Sequence, residues 1–353
     1  MKLAVICNNY GQNYDGIGAY TAAICEKMEQ SANIKIYTNK CKASDSKLKK
    51  FTTMGMIHAI HNLKKCIRKI KYDAVIIEYP FVEWNPFIIF SICALSKKLK
   101  KNKIKFIVSI HEYERVNVLR KFIIKCIACK ADAIFITNKN MAVELKKCCS
   151  ISYIRKIPSN IERFENGEII EKDKTQYVFF GLINQTKAFD EMLKAWDDFN
   201  RDKEKTLHII SGTYIENIEE MHKGIKYHYN LSSEEISSVM KKCAFCIVPV
   251  KPFVDEKNTT FKTGCAMGNV CIALYANEFK CLDFIINMDD YSEIGFLNAL
   301  KKAEAMDVQE LKKHEKKALE FAEKYKTENI ANEILQNIKK IVKETSYEKS
   351  TIN

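Results

Sequence analysis

Groups able to hold an anion concentrate in Cys243–Ala273, CAFCIVPVKPFVDEKNTTFKTGCAMGNVCIA. An apolar, strand-like run leads into a polar loop. A helix follows whose first turn carries Thr259 and Thr260, and Gly268 ends it before a second apolar run. The first turn of a helix presents unpaired N–H groups at the positive end of its dipole. With two hydroxyls beside those donors, the segment is suited to a phosphate.

Other candidate groups sit where apolar runs end. NNYGQNYDGIGAYT places Gly16 and Gly18 at a helix start, where a missing side chain lets a ligand approach the backbone or simply permits a turn. SIHEYER places His111 and Glu112 at a strand end. The imidazole there can donate to a phosphate or a sugar hydroxyl, or be a satisfied structural group, and the carboxylate can orient a substrate. Glu78 and Glu83 are expected on the neighbouring loop, facing the same place. YVFFG runs into LINQTKAFDEMLKAW, where Gly181 allows a tight exit and Lys187 opens an amphipathic helix. A lysine at a helix N-terminus opposes the dipole, so it either meets an anion or extends into solvent. No Asp-x-Asp pair falls at a strand end, and Asp289–Asp290 reads as loop; no metal site is expected.

These groups need a frame. KLAVICNN, NIKIYT, DAVIIEY, IKFIVSIHE, AIFITN and SYIRKIP read as strands, with helices near Tyr20–Gln30, Ile57–Ile70, Pro86–Lys100, Asn117–Cys129 and Met141–Cys149. The strand–helix rhythm restarts with TQYVFFG, TLHIISG, IKYHY, AFCIVPV and VCIALY. The strands lack two-residue alternation, so both faces should be covered by helices, as in a parallel sheet. Two doubly wound α/β modules follow, and ligands of such sheets sit at the carboxyl ends of the strands. Polar Ile161–Lys174 is expected to link them. From Val308 to about Glu344 the chain is helix-forming, and the tail TSYEKSTIN is expected to fray.

At 353 residues the length suits two domains, and 47% hydrophobic with 29% charged residues is ordinary for a globular protein. Met1 leads directly into an apolar run, and the 14 cysteines include Cys148–Cys149 and Cys243/Cys246, so a reduced, cytosolic setting is expected. The Cys243-x-x-Cys246 spacing has no matching second pair. Strand alternation would put its sulfurs on opposite faces, as packed core residues. Net charge is +13, from 57 Lys and Arg against 44 Asp and Glu. That excess suits a nucleic acid, an anionic membrane surface or a phosphorylated substrate. Aromatic residues are not interleaved with the basic ones and no nucleic-acid motif is present, so no nucleic acid is expected. No apolar run reaches the ~18 residues of a spanning helix; PFIIFSICAL from Pro86 reads as a helix on a sheet or at a membrane interface.

Taken in order, these segments resemble the retaining nucleotide-sugar glycosyltransferases of the GT-B fold, the family 4-like, group 1 enzymes. DGIGAYT is similar to the glycine-bearing first loop, SIHEYE to the strand-four histidine segment and IPSNI to the inter-domain turn. GLINQTKAFDEMLKAW resembles the G-x5-K-G helix start, NLSSEEISSVMKKCAFCIVPV the L-S-x-E-E segment, and AMGNVCIA the A-x-G-x-P-V-I-A segment. The resemblance implies two Rossmann-like domains facing a cleft: 1–165 on the acceptor side, 166–325 for the NDP-sugar, and 326–353 as a helix crossing back to the first domain plus a tail. It implies a metal-independent, retaining hexosyltransferase. NDP-sugar would be a co-substrate with no cofactor, and the acceptor a glycan or polyprenyl-linked molecule, in bacterial surface polysaccharide assembly. The enzyme would be cytoplasmic and peripheral on the inner face of the membrane. His111, Lys187 and Asp255 would be catalytic. Gly16, Gly18, Gly181, Asn184, Thr259, Thr260 and Thr263 would bind the donor, with Glu78 and Glu112 on the acceptor side. Departures are Leu182 where the family has arginine, Ala188 for the second glycine, and Asp255 and Thr263 for the E-x7-E pair. They match a branch with P-F-x-D before the helix and also admit a catalytically weakened partner subunit.

Overall fold

The structure is a computed structural model, and it describes residues 1–11, 15–38, 53–80, 88–114, 116–159, 161–164, 171–202, 204–255, 257–277 and 279–347. Glu83, Asn160 of IPSNI, residues 165–170 of the expected linker and the end of the tail lie outside the described residues.

The elements in chain order are β1 (Lys2–Ile6), α1 (Gly16–Glu29), β2 (Asn33–Tyr37), α2 (Thr53–Cys66), β3 (Ala74–Tyr79), α3 (Ile88–Lys101), β4 (Lys105–Ile110), α4 (Val118–Ala128), β5 (Ala133–Ile136), α5 (Lys139–Leu145) and β6 (Ser152–Ile154). They continue with β7 (Asp173–Phe180), α6 (Phe189–Phe199), β8 (Thr206–Ser211), α7 (Ile218–Met221), β9 (Ile225–Tyr229), α8 (Ser233–Lys242), β10 (Cys243–Ile247), α9 (Thr259–Ala266), β11 (Val270–Ala273), β12 (Ile286–Asn287), α10 (Glu293–Ala305), α11 (Val308–Glu323) and α12 (Thr327–Tyr347).

The chain divides into two units, Met1–Lys156 with Thr327–Asn353, and Ile157–Lys326. In the first, six parallel strands run in the order β2-β1-β3-β4-β5-β6. One face of this sheet packs on α2, α3, α4 and α5 through residues such as Leu63, Leu95, Ile124 and Met141. The other packs on α1 and α12 through Ile24, Met28, Ile334 and Ile338. Burial on both faces is why β3 reads AVIIEY without alternation.

The second unit repeats the plan with the order β12-β11-β10-β7-β8-β9, again parallel. Trp196 of α6 and Phe296 of α10 fill one side, and Met240 of α8, Phe261 of α9 and Ala318 of α11 the other. Local signals fix the helix starts. Ser232 and Glu235 form a capping box on α8, and Asn258, Ser292 and Asp307 cap α9, α10 and α11.

Three expectations change. The segment after Ile157 belongs with the second unit, so the boundary lies nine residues before the expected 165/166. Phe164 N donates to Ser237 Oγ at 3.0 Å, and Lys172 Nζ to the carbonyls of Cys243 at 2.9 Å and Met267 at 2.8 Å. The helical region from Val308 is two helices, α11 and α12, separated at 324–326. Finally, Cys243 and Cys246 point to the same side of their sheet, because the β10–β7 register shifts between Cys243 and Phe245. There β10 advances two residues while β7 advances four, and regular two-residue alternation does not hold across such an irregularity. All described cysteines are free.

Candidate functional site

In an open parallel sheet, the crevice forms where the strand order reverses. In the second unit that point lies between β7 and β10. The loop after β7 carries Gly181 and Lys187, and the loop after β10 carries Asp255 and leads into α9, which opens with Thr259 and Thr260. The two loops are tied together: Lys187 bridges Val250 in antiparallel fashion, Lys251 N donates to Thr186 O at 2.9 Å, and Ala188 N to Pro249 O at 2.8 Å.

Gly181 has φ +134°, a conformation that favours glycine. A β-carbon placed there would lie 3.4 Å from Thr260 Oγ1 and 3.9 Å from Lys187 Nζ. Hydroxyl and ammonium therefore converge beside a backbone with no side chain of its own. Lys187 is half-buried, and among the described residues no carboxylate pairs with it. Burial pushes its pKa below the usual lysine value. A cation held out of water without a counter-charge favours an incoming anion.

Helix α9 contributes from the other loop. Asn258 Oδ1 caps Phe261 N at 2.7 Å, so the helix start is ordered before any ligand arrives. Asp255 is half-buried, and its Oδ1 accepts from Lys257 N at 2.9 Å, shaping the approach to that helix. Thr259 is half-buried at the first helical position. Thr263, one turn further on, is fully buried and its hydroxyl has no partner among the described residues. It lies three residues after Thr260 on the same helix, and both are buried. Asn184 is exposed, and its Oδ1 accepts from Thr186 N at 3.0 Å and Thr186 Oγ1 at 2.6 Å, closing its own turn.

In the first unit the order reverses between β1 and β3, and His111 follows the adjacent β4. Glu78 is not on a loop. It belongs to β3, is 2% exposed, and accepts from His111 Nε2 at 2.7 Å and from Arg155 Nη1 at 2.7 and 2.8 Å. Its carboxylate is thus engaged inside the unit and is not offered to an acceptor. Burial alone would raise the Glu78 pKa, but the Arg155 charge and the His111 hydrogen bond overcome it and bring it to about 2. Arg155 Nε donates to Tyr20 Oη at 2.6 Å, and the Tyr20 ring meets His111 edge-on with centroids 5.6 Å apart. His111 is therefore fixed in orientation by a buried carboxylate and an aromatic edge. Glu112, beside it, is exposed.

Gly18 serves close packing: a β-carbon there would stand 2.2 Å from Asn9 O, whereas Gly16 faces open space. Asp15 caps the same helix by accepting from Ile17 N and Gly18 N. Sequence reading missed Arg155 and Tyr20, the two groups that hold the Glu78–His111 pair. Arg155 lies 77 residues from Glu78 and one past the end of β6, so no local spacing marks it.

No protein-family model matches the sequence, and no curated protein matches it. Solved structures do. A glycosyltransferase from Rickettsia africae ESF-5 is similar over 97% of this chain and 98% of its own, at TM-score 0.69 and 10% identity. An alpha-glucosyltransferase in complex with UDP-glucose and DNA containing an abasic site is similar over 96% and 99%, at TM-score 0.63 and 15% identity. A trehalose-6-phosphate structure from E. coli bound with UDP-2-fluoro glucose is similar over 96% and 99%, at TM-score 0.59 and 10% identity. Among the described residues no helix is long and apolar enough to cross a membrane. The two-sheet α/β architecture, matched end to end by these structures, is the GT-B fold.

Proposed function

We propose that the protein is a glycosyltransferase that moves a sugar from an NDP-sugar to an acceptor hydroxyl with retention of configuration. The observation that carries this reading is the convergence of Lys187 Nζ and Thr260 Oγ1 beside Gly181, at the switch point of the second sheet. The similar structures that hold UDP-glucose and UDP-2-fluoro glucose support a uridine nucleotide as the donor.

In the reaction the bond from the anomeric carbon to the β-phosphate oxygen breaks and the acceptor oxygen bonds to that carbon. The acceptor proton leaves with the nucleoside diphosphate. Negative charge grows on the β-phosphate as the sugar becomes oxocarbenium-like. Lys187, the Thr260 hydroxyl and the first amides of α9 stabilise that charge, and fixed donors of this kind need no reorganisation during the reaction. Asp255 and Thr259 complete the donor side, and His111 contacts the transferred sugar or its phosphate, as the sequence resemblance implies. The acceptor is a glycan or polyprenyl-linked molecule of a bacterial surface polysaccharide.

Leu182 stands where the resembled family carries arginine, and the buried Thr263 stands where it carries its second carboxylate. These two substitutions favour a second reading, a sugar-nucleotide-binding partner subunit. A panel of UDP-, GDP-, ADP- and TDP-sugars separates the readings. The proposal expects a thermal shift with at least one donor, followed by hydrolysis or transfer that survives EDTA. Binding without turnover on any acceptor selects the partner subunit. No shift with any donor at millimolar concentration removes both.

A further inference from the structure

Strands β8 and β9 lie at one edge of the second sheet, and their sequences alternate where the central strands do not. In TLHIIS and IKYHY, Leu207, Ile209, Ile225 and Tyr227 turn to the core shared with α6, whereas His208, Lys226 and His228 take the other face. Helix α8 packs on β7 and β10. Beside it lies a cavity of about 530 Å³ lined by Gln176, His208, Lys226, Ser238, Val239 and Lys242. These strand residues belong to the amino-terminal halves of β7, β8 and β9, away from the crevice at the carboxyl ends that holds Gly181. A row of hydrogen bonds crosses the three strands there: His228 Nε2 lies 2.9 Å from His208 Nδ1, and His208 Nε2 bonds Gln176 Oε1. Gln176 in turn bonds the Asp173 carboxylate.

The charges around this cavity do not balance. Glu171 is held by Lys312 at 3.3 Å, and Asp173 Oδ1 accepts from Thr175 N at 2.8 Å and Thr175 Oγ1 at 2.7 Å. Among the described residues neither Lys226 nor Lys242 pairs with a carboxylate. Both ammoniums reach His208: burial and the His228 ring lower its pKa first, and the two lysine charges add to bring it to about 4.

We propose that this cavity binds a small phosphate monoester, with the phosphate at Lys226 and Lys242 and the hydroxyls of its organic part on Ser238 and the Gln176–His208 row. Two ammoniums supplied by different elements, β9 and α8, suit a dianion better than a single carboxylate. A volume near 530 Å³ falls within the range of small-molecule sites and exceeds what inorganic phosphate fills. Val239 offers an apolar contact to a carbon skeleton. The amide and the neutral imidazole exchange hydrogen bonds with hydroxyls without adding charge. No residue of the proposed donor site lines this cavity, so the inference does not depend on Lys187 or Thr260.

The test follows the histidine side chains of the full chain by NMR, with His208→Gln and His228→Gln assigning the two resonances. Ribose 5-phosphate at pH 7 is expected to shift both in a saturable way, with inorganic phosphate weaker by about tenfold, for the lost hydroxyl contacts, and ribose inactive. The groups acting on the row are His228, Lys226, Lys242, Asp173, Glu171 and, next to His228, Glu219. A bound dianion offsets the field of the two lysines, so saturating ligand should raise the His208 pKa above about 4. Lys226→Ala/Lys242→Ala should weaken binding about tenfold, the joint effect of two exposed charge pairs. Ser238→Asp, which sets a carboxylate against the phosphate, should abolish it. All three positions are exposed, and an unchanged melting temperature will show that each variant is folded. Lys187→Ala should leave the histidine shifts intact; their loss in that variant would place the binding in the donor crevice and overturn the inference. Absence of any shift at millimolar ribose 5-phosphate overturns it, as do equal affinity for inorganic phosphate and shifts that persist unchanged without the two lysines.

Discussion

Lys187 Nζ, from the loop after β7, and Thr260 Oγ1, from the first turn of α9, lie 3.9 and 3.4 Å from where a β-carbon on Gly181 would stand. Among the described residues no carboxylate pairs with that ammonium. A half-buried ammonium, a hydroxyl and a helix N-terminus have been assembled at the cost of leaving the cation unpaired, and a diphosphate relieves that cost.

Removing the cation should therefore separate catalysis from stability. Lys187→Ala is expected to lower turnover by about two orders of magnitude, the usual effect of losing one donor to a developing anion. Its melting temperature should match or slightly exceed the wild type, because no ion pair is lost. Donor affinity of the wild type should also fall as pH rises through the depressed Lys187 pKa, while the alanine variant stays flat. Calorimetry with UDP across alkaline pH checks both; near-wild-type turnover in the variant would take Lys187 out of the mechanism.

Gly181→Ala tests the same space from the backbone side. At φ +134° a side chain is strained, at a cost on the order of 1–3 kcal/mol. The new methyl would also stand in ordinary contact with the Thr260 hydroxyl, where a ligand oxygen is expected. The variant should lose the donor-induced thermal shift as well as some stability. A variant that melts earlier but still shifts fully with donor would limit Gly181 to a structural role.

Glu78 and Arg155 make a prediction for the first unit. Arg155→Met leaves a buried carboxylate without its counter-charge, which typically destabilises by about 3–5 kcal/mol. Arg155→Met/Glu78→Met should recover most of that loss, since no charge is then left buried. The sign of the pH effect follows from the depressed Glu78 pKa. Between about 4.5 and about 2 the unfolded chain holds the proton more tightly, so stability present above pH 4.5 is lost as pH falls through about 2. Urea denaturation at pH 7 and pH 3 should show the wild-type advantage over the double variant shrinking with acid.

His208 on β8 titrates in a different window. Its Nδ1 lies 2.9 Å from His228 Nε2, and its Nε2 bonds Gln176 Oε1, so the arrangement suits a neutral ring accepting from His228 and donating to Gln176. Burial, with the His228 ring next, lowers its pKa from 6.5 to about 4. The unfolded chain then binds the extra proton between those values, and the second unit should weaken as pH falls from 6.5 to 4. His208→Leu should flatten that dependence. Parallel melting curves of the two proteins at pH 7 and pH 4.5 would refute the assignment.

Much of this was legible because parallel-sheet strands announce themselves. Runs such as AVIIEY and the glycine-to-lysine spacing of Gly181 and Lys187 are local, and locality is what a single sequence preserves. The partners of Glu78 were not. A strand-end glutamate looks like a loop carboxylate until Arg155, from β6 on the far side of the sheet order, is brought beneath it. Thr263 shows the same limit at short range: it is spaced to match a ribose-binding carboxylate, but nothing in its spacing shows that it is fully buried with its hydroxyl unpartnered among the described residues. At Cys243 the period-two argument failed because the pairing there is irregular, β10 advancing two residues while β7 advances four.

Helix α12 is the last element of the chain yet completes the first unit. Ile330, Ile334, Leu335, Ile338 and Ile341 are all at most 4% exposed against the face of the sheet that carries Leu3, Val5 and Phe135. Covering five such side chains contributes roughly 10 kcal/mol, comparable to the whole stability of a domain. On the ribosome, then, the sheet that is made first waits with one side uncovered while the contiguous Ile157–Lys326 unit is synthesised and closes. The order of translation is the reverse of the order of completion, and a chain stopped short of Thr327 would carry one finished half and one open one.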